Sequence, residues 1–186
     1  MKRLTAIFIA LVLFSGCSTD ESDIYRILHL RELVLSSDSC SFSLQITVDY
    51  PSESYNFAMD CTADSQGETN FIVTEPNSIA GITGQLSKDN GKLTFDDKYL
   101  VFSPLADGLI TPVCAPWIFI NTIRSGYIAG CTSYEDGLTV EFNDCYQQES
   151  LDLILMLDKS DMPFAAEIIW QGRRIVTIKV DNFTFV

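Results

Sequence analysis

The sequence predicts an α+β protein in which a curved antiparallel sheet of about ten or eleven strands is covered by two main helices. From residue 40 onward, apolar and polar residues alternate along most segments, as they do in strands that bury one face. Two segments, 24–35 and 113–127, instead repeat their apolar residues at helical spacing. Because the alternating strands leave one sheet face apolar, that face needs a cover, and these helices can provide it.

The two predicted helices differ in how apolar they are. In the segment 24–35, Ile27 and Leu30 lie on one face and Arg31 lies largely opposite, which is typical of a helix with one buried side. The segment 113–127 is apolar on most of its surface. We therefore expect the second helix to be deeply covered by the rest of the protein.

The first predicted hairpin has its turn near residues 52–53. That centre places Cys40 opposite residue 65 and Cys61 opposite residue 44. The two cysteines are then about four residues, or roughly 13 Å, out of step along the strands, which is too far for a disulfide. Both belong to the apolar face, so we predict two buried thiols.

Turn signals divide the rest of the chain into further short strands. The predicted strands are 40–48, 55–63, 69–74, 79–86, 92–95, 99–103, 128–134, 138–144, 151–157, 163–170 and 174–185. No repeat, long linker or low-complexity segment separates them. The sequence therefore predicts a single domain over residues 24–186.

The N-terminus has the layout of an export signal. Lys2 and Arg3 precede an apolar run of 11 residues, 4–14, which is followed by small residues and Cys17. The run is too short to cross a membrane, because a spanning helix needs about 20 apolar residues.

The sequence Ser15-Gly16-Cys17 resembles the lipobox of bacterial lipoproteins, in which the cysteine is diacylated on sulfur and becomes the new N-terminus. It departs from that pattern at Phe14, where leucine is preferred. The resemblance implies a signal peptide over 1–16, a lipidated cysteine with a short tether over 17–23, and a place on the extracytoplasmic face of a bacterial membrane. An ordinary secretory signal is the alternative.

Charge and cysteine content argue against several classes of protein. The chain has a formal net charge of −13, and removal of Lys2 and Arg3 would leave 10 basic and 25 acidic residues, a net charge of −15. That balance argues against nucleic-acid binding and against a protein body that lies on anionic lipid. Five cysteines follow Cys17, an odd number without a CxxC motif, so free thiols are expected and one or two disulfides stay open.

The sequence contains no recognisable catalytic, metal or cofactor motif. GxSxG, HExxH, Walker A and GxGxxG patterns are all absent. His29, the single histidine, lies in the first predicted helix without a marked partner for general base catalysis. The acidic pairs lie at turn signals, where aspartate is ordinary. We therefore expect a protein that is not an enzyme and that has no cofactor or metal.

Several short motifs point to a known family. Leu157-Asp158-Lys159, Met162-Pro163 and Gly172-Arg173-Arg174 precede an alternating last strand, and Val73-Thr74-Glu75-Pro76 runs from a strand into a proline turn. Together with the order helix, strands, helix, strands over 24–186, these motifs resemble the LolA-like superfamily, which includes the outer-membrane lipoprotein carrier and its receptor LolB. In pattern the chain looks closest to uncharacterised lipoproteins of Gram-positive type.

The resemblance implies an unclosed half-barrel of about eleven strands whose helices plug an apolar cavity, and in several relatives that cavity receives acyl chains. Candidate cavity residues are Phe57, Met59, Phe71, Trp117 and Ile120, for which core packing is the alternative interpretation. We expect a membrane-anchored envelope lipoprotein that binds an acyl chain or another apolar ligand. The alternative is a non-enzymatic structural or signalling lipoprotein that docks a partner protein, such as sporulation or cell-wall machinery.

Overall fold

The structure, a computed structural model, describes residues 21–51, 53–102, 105–106, 109–143 and 151–186. Helix α1 spans Glu21–Ser36, and a 3₁₀ helix over Pro112–Cys114 leads into helix α2, Ala115–Ser125. The strands are β1 Ser39–Asp49, β2 Ser54–Asp64, β3 Thr69–Glu75, β4 Thr83–Leu86, β5 Gly91–Phe95, β6 Lys98–Phe102, β7 Leu105–Ala106, β8 Leu109–Ile110, β9 Tyr127–Tyr134, β10 Gly137–Asn143, β11 Leu151–Asp158, β12 Pro163–Trp170 and β13 Arg173–Phe185. The predicted signal peptide, Cys17 and Cys145 lie outside the described residues.

Eleven of the described strands form one antiparallel sheet in the order β6-β5-β4-β3-β2-β1-β13-β12-β11-β10-β9. The first and last of these strands along the chain, β1 and β13, therefore pair at its centre. We call β2–β6 the N-terminal wing and β9–β12 the C-terminal wing. The edge strands β6 and β9 do not pair with each other, so the predicted α+β architecture of an unclosed half-barrel is confirmed.

The core lies between the inner face of the sheet and the two helices. Helix α2 is buried along most of its length, as its apolar sequence predicted, and Phe119 at its middle has no exposed surface. The Phe119 ring packs edge-to-face on Phe42 of β1, with 5.5 Å between the ring centroids. Helix α1 buries Ile27 and Leu30 against the same core and exposes its opposite side.

Two details of the sequence interpretation are wrong. Tyr50 and Glu53 exchange backbone hydrogen bonds of 2.9 and 3.3 Å, which moves the hairpin centre so that Cys40 pairs with Ala63 and Cys61 pairs with Phe42. The two cysteines are thus two residues out of step instead of four. Both are nevertheless buried free thiols, as predicted.

The second corrected detail is the strand predicted over 79–86, which begins only at Thr83. The preceding residues form turns instead, and Gly81, at φ +88°, donates a backbone hydrogen bond to Val73. The other predicted strands agree with the structure to within one residue at each end. Within the described ranges, no helix has the length and apolarity needed to cross a membrane.

Candidate ligand-binding pocket

A pocket of about 590 Å³ opens at one end of the N-terminal wing. The starts and ends of neighbouring strands form its floor, the loop after β3 forms one wall, and the 3₁₀ helix forms another. Its lining includes Tyr55, Phe57, Val73, Ile82, Leu93 and Val113. We call this site the apolar pocket.

The apolar pocket forms because the apolar inner face of the sheet extends past the region that the helices cover. Along β2 the inward-facing residues become steadily more covered, from exposed Tyr55 through half-buried Phe57 to buried Met59. Phe57 therefore marks the boundary between the pocket and the core. The chain then turns away after β3 at a cis Glu75–Pro76 bond, and the loop that follows carries Ile82 to the wall of the pocket.

The chemistry of the apolar pocket suits an uncharged, largely apolar ligand. None of the twelve described lining residues has an ionisable acidic or basic side chain other than the tyrosine hydroxyls. Burial raises the pKa of Tyr50 above its ordinary value, so this hydroxyl stays protonated at neutral pH. Asn56 and Ser54 add neutral polar groups near the opening, which is the usual combination of an apolar wall with few polar groups.

The structure brings one of the five predicted cavity residues to this pocket. Phe57 lines it, whereas Met59, Trp117 and Ile120 are buried in the core. Phe71 is also buried, and its ring lies against Gly84, where an added Cβ would come within 2.2 Å of the ring. The contribution of these five residues to ligand binding stays a prediction.

Sequence reasoning did not single out the remaining walls of the pocket. Leu93 and Val113 each lie in short segments without a distinctive motif, and they meet only because the wing folds over the start of the 3₁₀ helix. The sequence of β2 did contain one usable signal. Tyr55 lies on the same apolar face as Phe57 and Met59, near the start of the strand, where the structure leaves that face exposed.

Three arginines hold the helices in place over the sheet. Arg31 of α1 donates two hydrogen bonds of 2.7 Å, one to the backbone carbonyl of Ile123 and one to that of Gly126, at the C-terminal end of α2. Burial lowers the pKa of Arg31 from its ordinary value, although it stays charged at neutral pH. Charge-assisted bonds to the last carbonyls of a helix are favourable, so Arg31 joins the two helices.

The other two arginines connect the helices to the sheet. Arg26 of α1 pairs with Asp161 at 2.6 Å, beside the turn between β11 and β12. Arg124 of α2 donates a hydrogen bond of 2.7 Å to the backbone carbonyl of Ser65. Its second terminal nitrogen is buried without a hydrogen-bond partner among the described residues, as is the Thr122 hydroxyl. Of these three arginines, sequence reasoning singled out only Arg31, on the polar side of the first predicted helix.

The histidine and the buried cysteines of the described residues were the other candidate reactive groups. The His29 side chain is mostly exposed and lies 3.7 Å from Glu32 on its own helix. No group of His, Cys, Asp or Glu residues in the described part of the chain is arranged to hold a metal ion. Burial raises the pKa of Cys40 to about 11 and that of Cys114 to about 12, so these thiols stay protonated and unreactive near neutral pH.

Comparisons with known proteins agree with the architecture. No family model and no curated protein matches the sequence. An uncharacterised conserved protein from Thermus thermophilus has a similar structure, with a TM-score of 0.50 and 12% identity over 88% of this chain and 87% of its own.

Two further solved structures show the same kind of similarity. A LolA superfamily protein from Nitrosomonas europaea gives a TM-score of 0.48 and 9% identity over 88% of this chain and 93% of its own. The GerS lipoprotein of Clostridioides difficile, solved in complex with the CwlD amidase, gives 0.45 and 12% over 93% and 100%. At such identities the similarity concerns the fold and not the function. The architecture expected of a LolA-like fold, an open antiparallel half-barrel over two helices, is the one that this chain has.

Proposed function

We propose that this protein is a lipid-anchored envelope lipoprotein whose LolA-like half-barrel binds an acyl chain or another apolar ligand in the apolar pocket. The observation that carries the proposal is a cavity of about 590 Å³ whose described lining is uncharged and mainly apolar. Pockets for small ligands usually measure roughly 300–1,000 Å³ and have this kind of lining. The apolar pocket borders the core at half-buried Phe57, and its open end gives an apolar chain access to this lining.

The anchoring part of the proposal rests on the sequence. Residues 1–16 act as the signal peptide, Cys17 carries the diacylglycerol, and residues 18–20 tether the domain, which begins with α1 at Glu21, to the membrane. Metabolic labelling with a palmitate analogue tests this. Wild-type protein takes up the label, whereas a Cys17→Ser variant does not. Label on the Cys17→Ser variant would contradict lipidation at this residue.

Binding is tested on protein produced without the signal peptide and Cys17. Native mass spectrometry detects lipid that copurifies with the protein, and displacement of a fluorescent fatty acid measures affinity. Ile82 lines the apolar pocket, so an Ile82→Trp variant fills part of the cavity and weakens fatty-acid binding at least tenfold.

The matched control is Ile72→Trp, because Ile72 is exposed on the outer face of the neighbouring strand β3 and does not line the apolar pocket. This variant keeps the wild-type affinity. The absence of copurified lipid together with the absence of saturable fatty-acid binding would overturn the proposal. Equal weakening by both variants would place binding elsewhere.

A second candidate function has its own observation. Edge strand β6 exposes apolar side chains on both faces, with exposed fractions of 62% for Leu100, 56% for Val101 and 71% for Tyr99. Natural proteins usually protect such an edge, since its unpaired backbone groups can accept another strand. We propose that, under this alternative, a strand of an envelope protein partner pairs with β6.

Crosslinking in cells distinguishes the two functions. Leu100→Lys and Val101→Lys variants lose a crosslinked partner if strand addition is the function and keep fatty-acid binding. The control Tyr25→Lys alters an equally exposed residue on α1 and keeps the partner. Retention of the partner by both β6 variants would exclude this edge as its docking site.

A further inference from the structure

The outer face of β1 and the N-terminal wing carries two parallel rows of side chains that cross six strands, β1 to β6. Strand register defines them, because residues directly opposite on antiparallel strands point to the same face. The first row is Ser43, Asp60, Ile72, Thr83, Thr94 and Tyr99. The second row is Ser41, Thr62, Asn70, Gln85, Lys92 and Val101. We call these two rows the outer track.

The outer track is concave. Most of its residues line a depression of about 790 Å³, which lies on the opposite side of the sheet from the helices. A β-bulge in β13, opposite Ser41 and Ser43, contributes to this shape, because bulges bend a strand and increase its twist. Asn182 lies in this bulge, has a positive φ of 56° and lines the same depression.

The outer track is nearly free of net charge in a chain with a formal net charge of −13. Its single carboxylate, Asp60, accepts a hydrogen bond of 2.8 Å from the Ser43 hydroxyl. Its single ammonium group, on Lys92, lies 5.2 Å from the centroid of the Tyr99 ring. The corresponding face of the C-terminal wing and β13 instead carries ion pairs, such as Glu167 with Arg174 at 2.7 Å.

Several polar groups of the outer track are available to a ligand. The side chains of Thr62 and Asn70 are exposed and line the depression, as does that of Asn182 beside the track. Each presents a neutral donor or acceptor. Between them, Ile72 is 43% exposed, and Tyr99 at the end of the first row is 71% exposed, so apolar surface alternates with hydrogen-bonding groups.

We infer that the outer track binds a neutral glycan. Sugar hydroxyls both donate and accept hydrogen bonds, as the uncharged hydroxyl and amide side chains of the track do. The apolar C–H face of a pyranose ring packs on an aromatic or aliphatic surface such as Tyr99 or Ile72. At a spacing of about 4.8 Å between strands, the track is about 24 Å long, which accommodates several sugar units in a row.

Other ligand classes fit this surface less well. One lysine against one aspartate does not attract the phosphates of nucleic acid or anionic lipid. An acyl chain would cover the hydroxyl and amide side chains of both rows without offering them hydrogen bonds. A peptide cannot add as a strand here, because the backbone groups in the middle of the sheet are already paired with neighbouring strands.

Titration with neutral β-linked tetrasaccharides, chitotetraose and cellotetraose, followed by NMR and calorimetry, tests the inference. Saturable binding is expected for at least one of them. Asn70→Ala and Tyr99→Ala each weaken it at least fivefold, whereas Thr139→Ala on the outer face of the C-terminal wing has no effect. All three side chains are at the surface, and the urea midpoint of each variant reports whether it still folds.

Two further measurements separate this inference from its alternatives. Fatty-acid binding in the apolar pocket is unchanged by Asn70→Ala, so failure of one proposal is distinguishable from failure of the other. A pool of neutral tetrapeptides is titrated in parallel. Saturable binding of peptides in place of glycans would overturn the inference, as would the absence of saturable glycan binding at millimolar concentration or binding that neither variant weakens.

Discussion

The two wings of the sheet have the same alternating pattern but different surroundings. In the C-terminal wing the inner side chains of β10 and β11, including Val140, Leu153 and Leu155, are completely buried. In the N-terminal wing the inner face reaches solvent at the apolar pocket, and the outermost strand exposes Leu100. The apolar pocket belongs to this second arrangement, whereas the outer track lies on the opposite face of the same part of the sheet.

The difference follows from size. Eleven strands at about 4.8 Å spacing extend over about 48 Å when flattened. At a rise of about 1.5 Å per residue, α1 and α2 measure about 24 and 17 Å, so two short helices cannot cover the whole sheet. The arginine contacts place α1 against β9 and the β11–β12 turn, which leaves the far side of the N-terminal wing open. The apolar pocket therefore arises where the helical cover ends.

Matched leucine substitutions give the largest expected contrast between the wings. Leu155→Ala in β11 removes a side chain with 0% exposure and costs about 3 kcal/mol of unfolding free energy, because it leaves a cavity. Leu100→Ala in β6, at 62% exposure, costs less than about 0.5 kcal/mol. Urea denaturation measures both. Similar costs for the two variants would contradict the assignment of one covered and one open wing.

Glycine substitutions test how closely each wing is packed. An added Cβ at Gly137 of β10 would lie 1.9 Å from the backbone carbonyl oxygen of Leu157, which has little freedom to move. Gly137→Ala therefore costs about 2–3 kcal/mol. At Gly84 of β4 the obstacle is the Phe71 side chain, which can move more easily than a backbone carbonyl, so Gly84→Ala costs about half as much.

The control for these two variants is Gly130→Ala in β9. Its nearest neighbour to an added Cβ is a Glu141 oxygen at 3.9 Å, so the variant unfolds at the wild-type urea concentration to within error. A larger cost at Gly84 than at Gly137 would mean that the N-terminal wing is the more tightly packed of the two.

Periodicity was sufficient to predict most of the fold. The alternation of apolar and polar residues identified the strands, and the resemblance then implied their arrangement in an open half-barrel. Register was harder, since it depends on the backbone geometry of a single turn. The hydrogen bonds between Tyr50 and Glu53 place the centre of the first hairpin one residue before the predicted centre. The partners of Cys40 and Cys61 therefore differ from the predicted ones by two positions.

The candidate site was less predictable, because the alternation of apolar and polar residues shows which face a side chain lies on but not whether that part of the face is covered. Phe57 and Met59 follow the same alternation in one strand, yet only Phe57 lines the apolar pocket. What separates them is the position at which the helical cover ends, and that depends on contacts between distant residues such as Arg31 and Gly126. The outer track likewise emerges only from register across six strands.

An Arg31→Met variant tests whether the position of the helices keeps the C-terminal wing covered and the N-terminal wing open. Arg31→Met removes both hydrogen bonds to the C-terminal carbonyls of α2 and costs about 2 kcal/mol, since those carbonyls lose charged partners. The exposed pair Arg174–Glu167 provides a control, and Arg174→Met costs less than about 1 kcal/mol. Hydrogen exchange in α2 rises only in the Arg31 variant. Unchanged exchange there would show that packing alone holds the helix.

Alkaline unfolding tests whether the inner face of the N-terminal wing excludes water around Cys61 as fully as the rest of the core does. Burial raises the pKa of Cys61 in β2 well above the ordinary value for a thiol, so the folded state favours the protonated form. This contribution to stability is complete below the unfolded-state pKa of about 8.5 and is lost as pH rises toward the folded-state pKa. Between pH 8 and 10, wild-type protein should therefore lose about 1–2 kcal/mol more than Cys61→Ala does, as measured by urea denaturation at each pH. Groups common to both proteins cancel in that comparison. An equal loss of unfolding free energy in the two proteins would mean that water reaches the Cys61 thiol. The inner face of the N-terminal wing would then be accessible to solvent at β2 as well as at the apolar pocket.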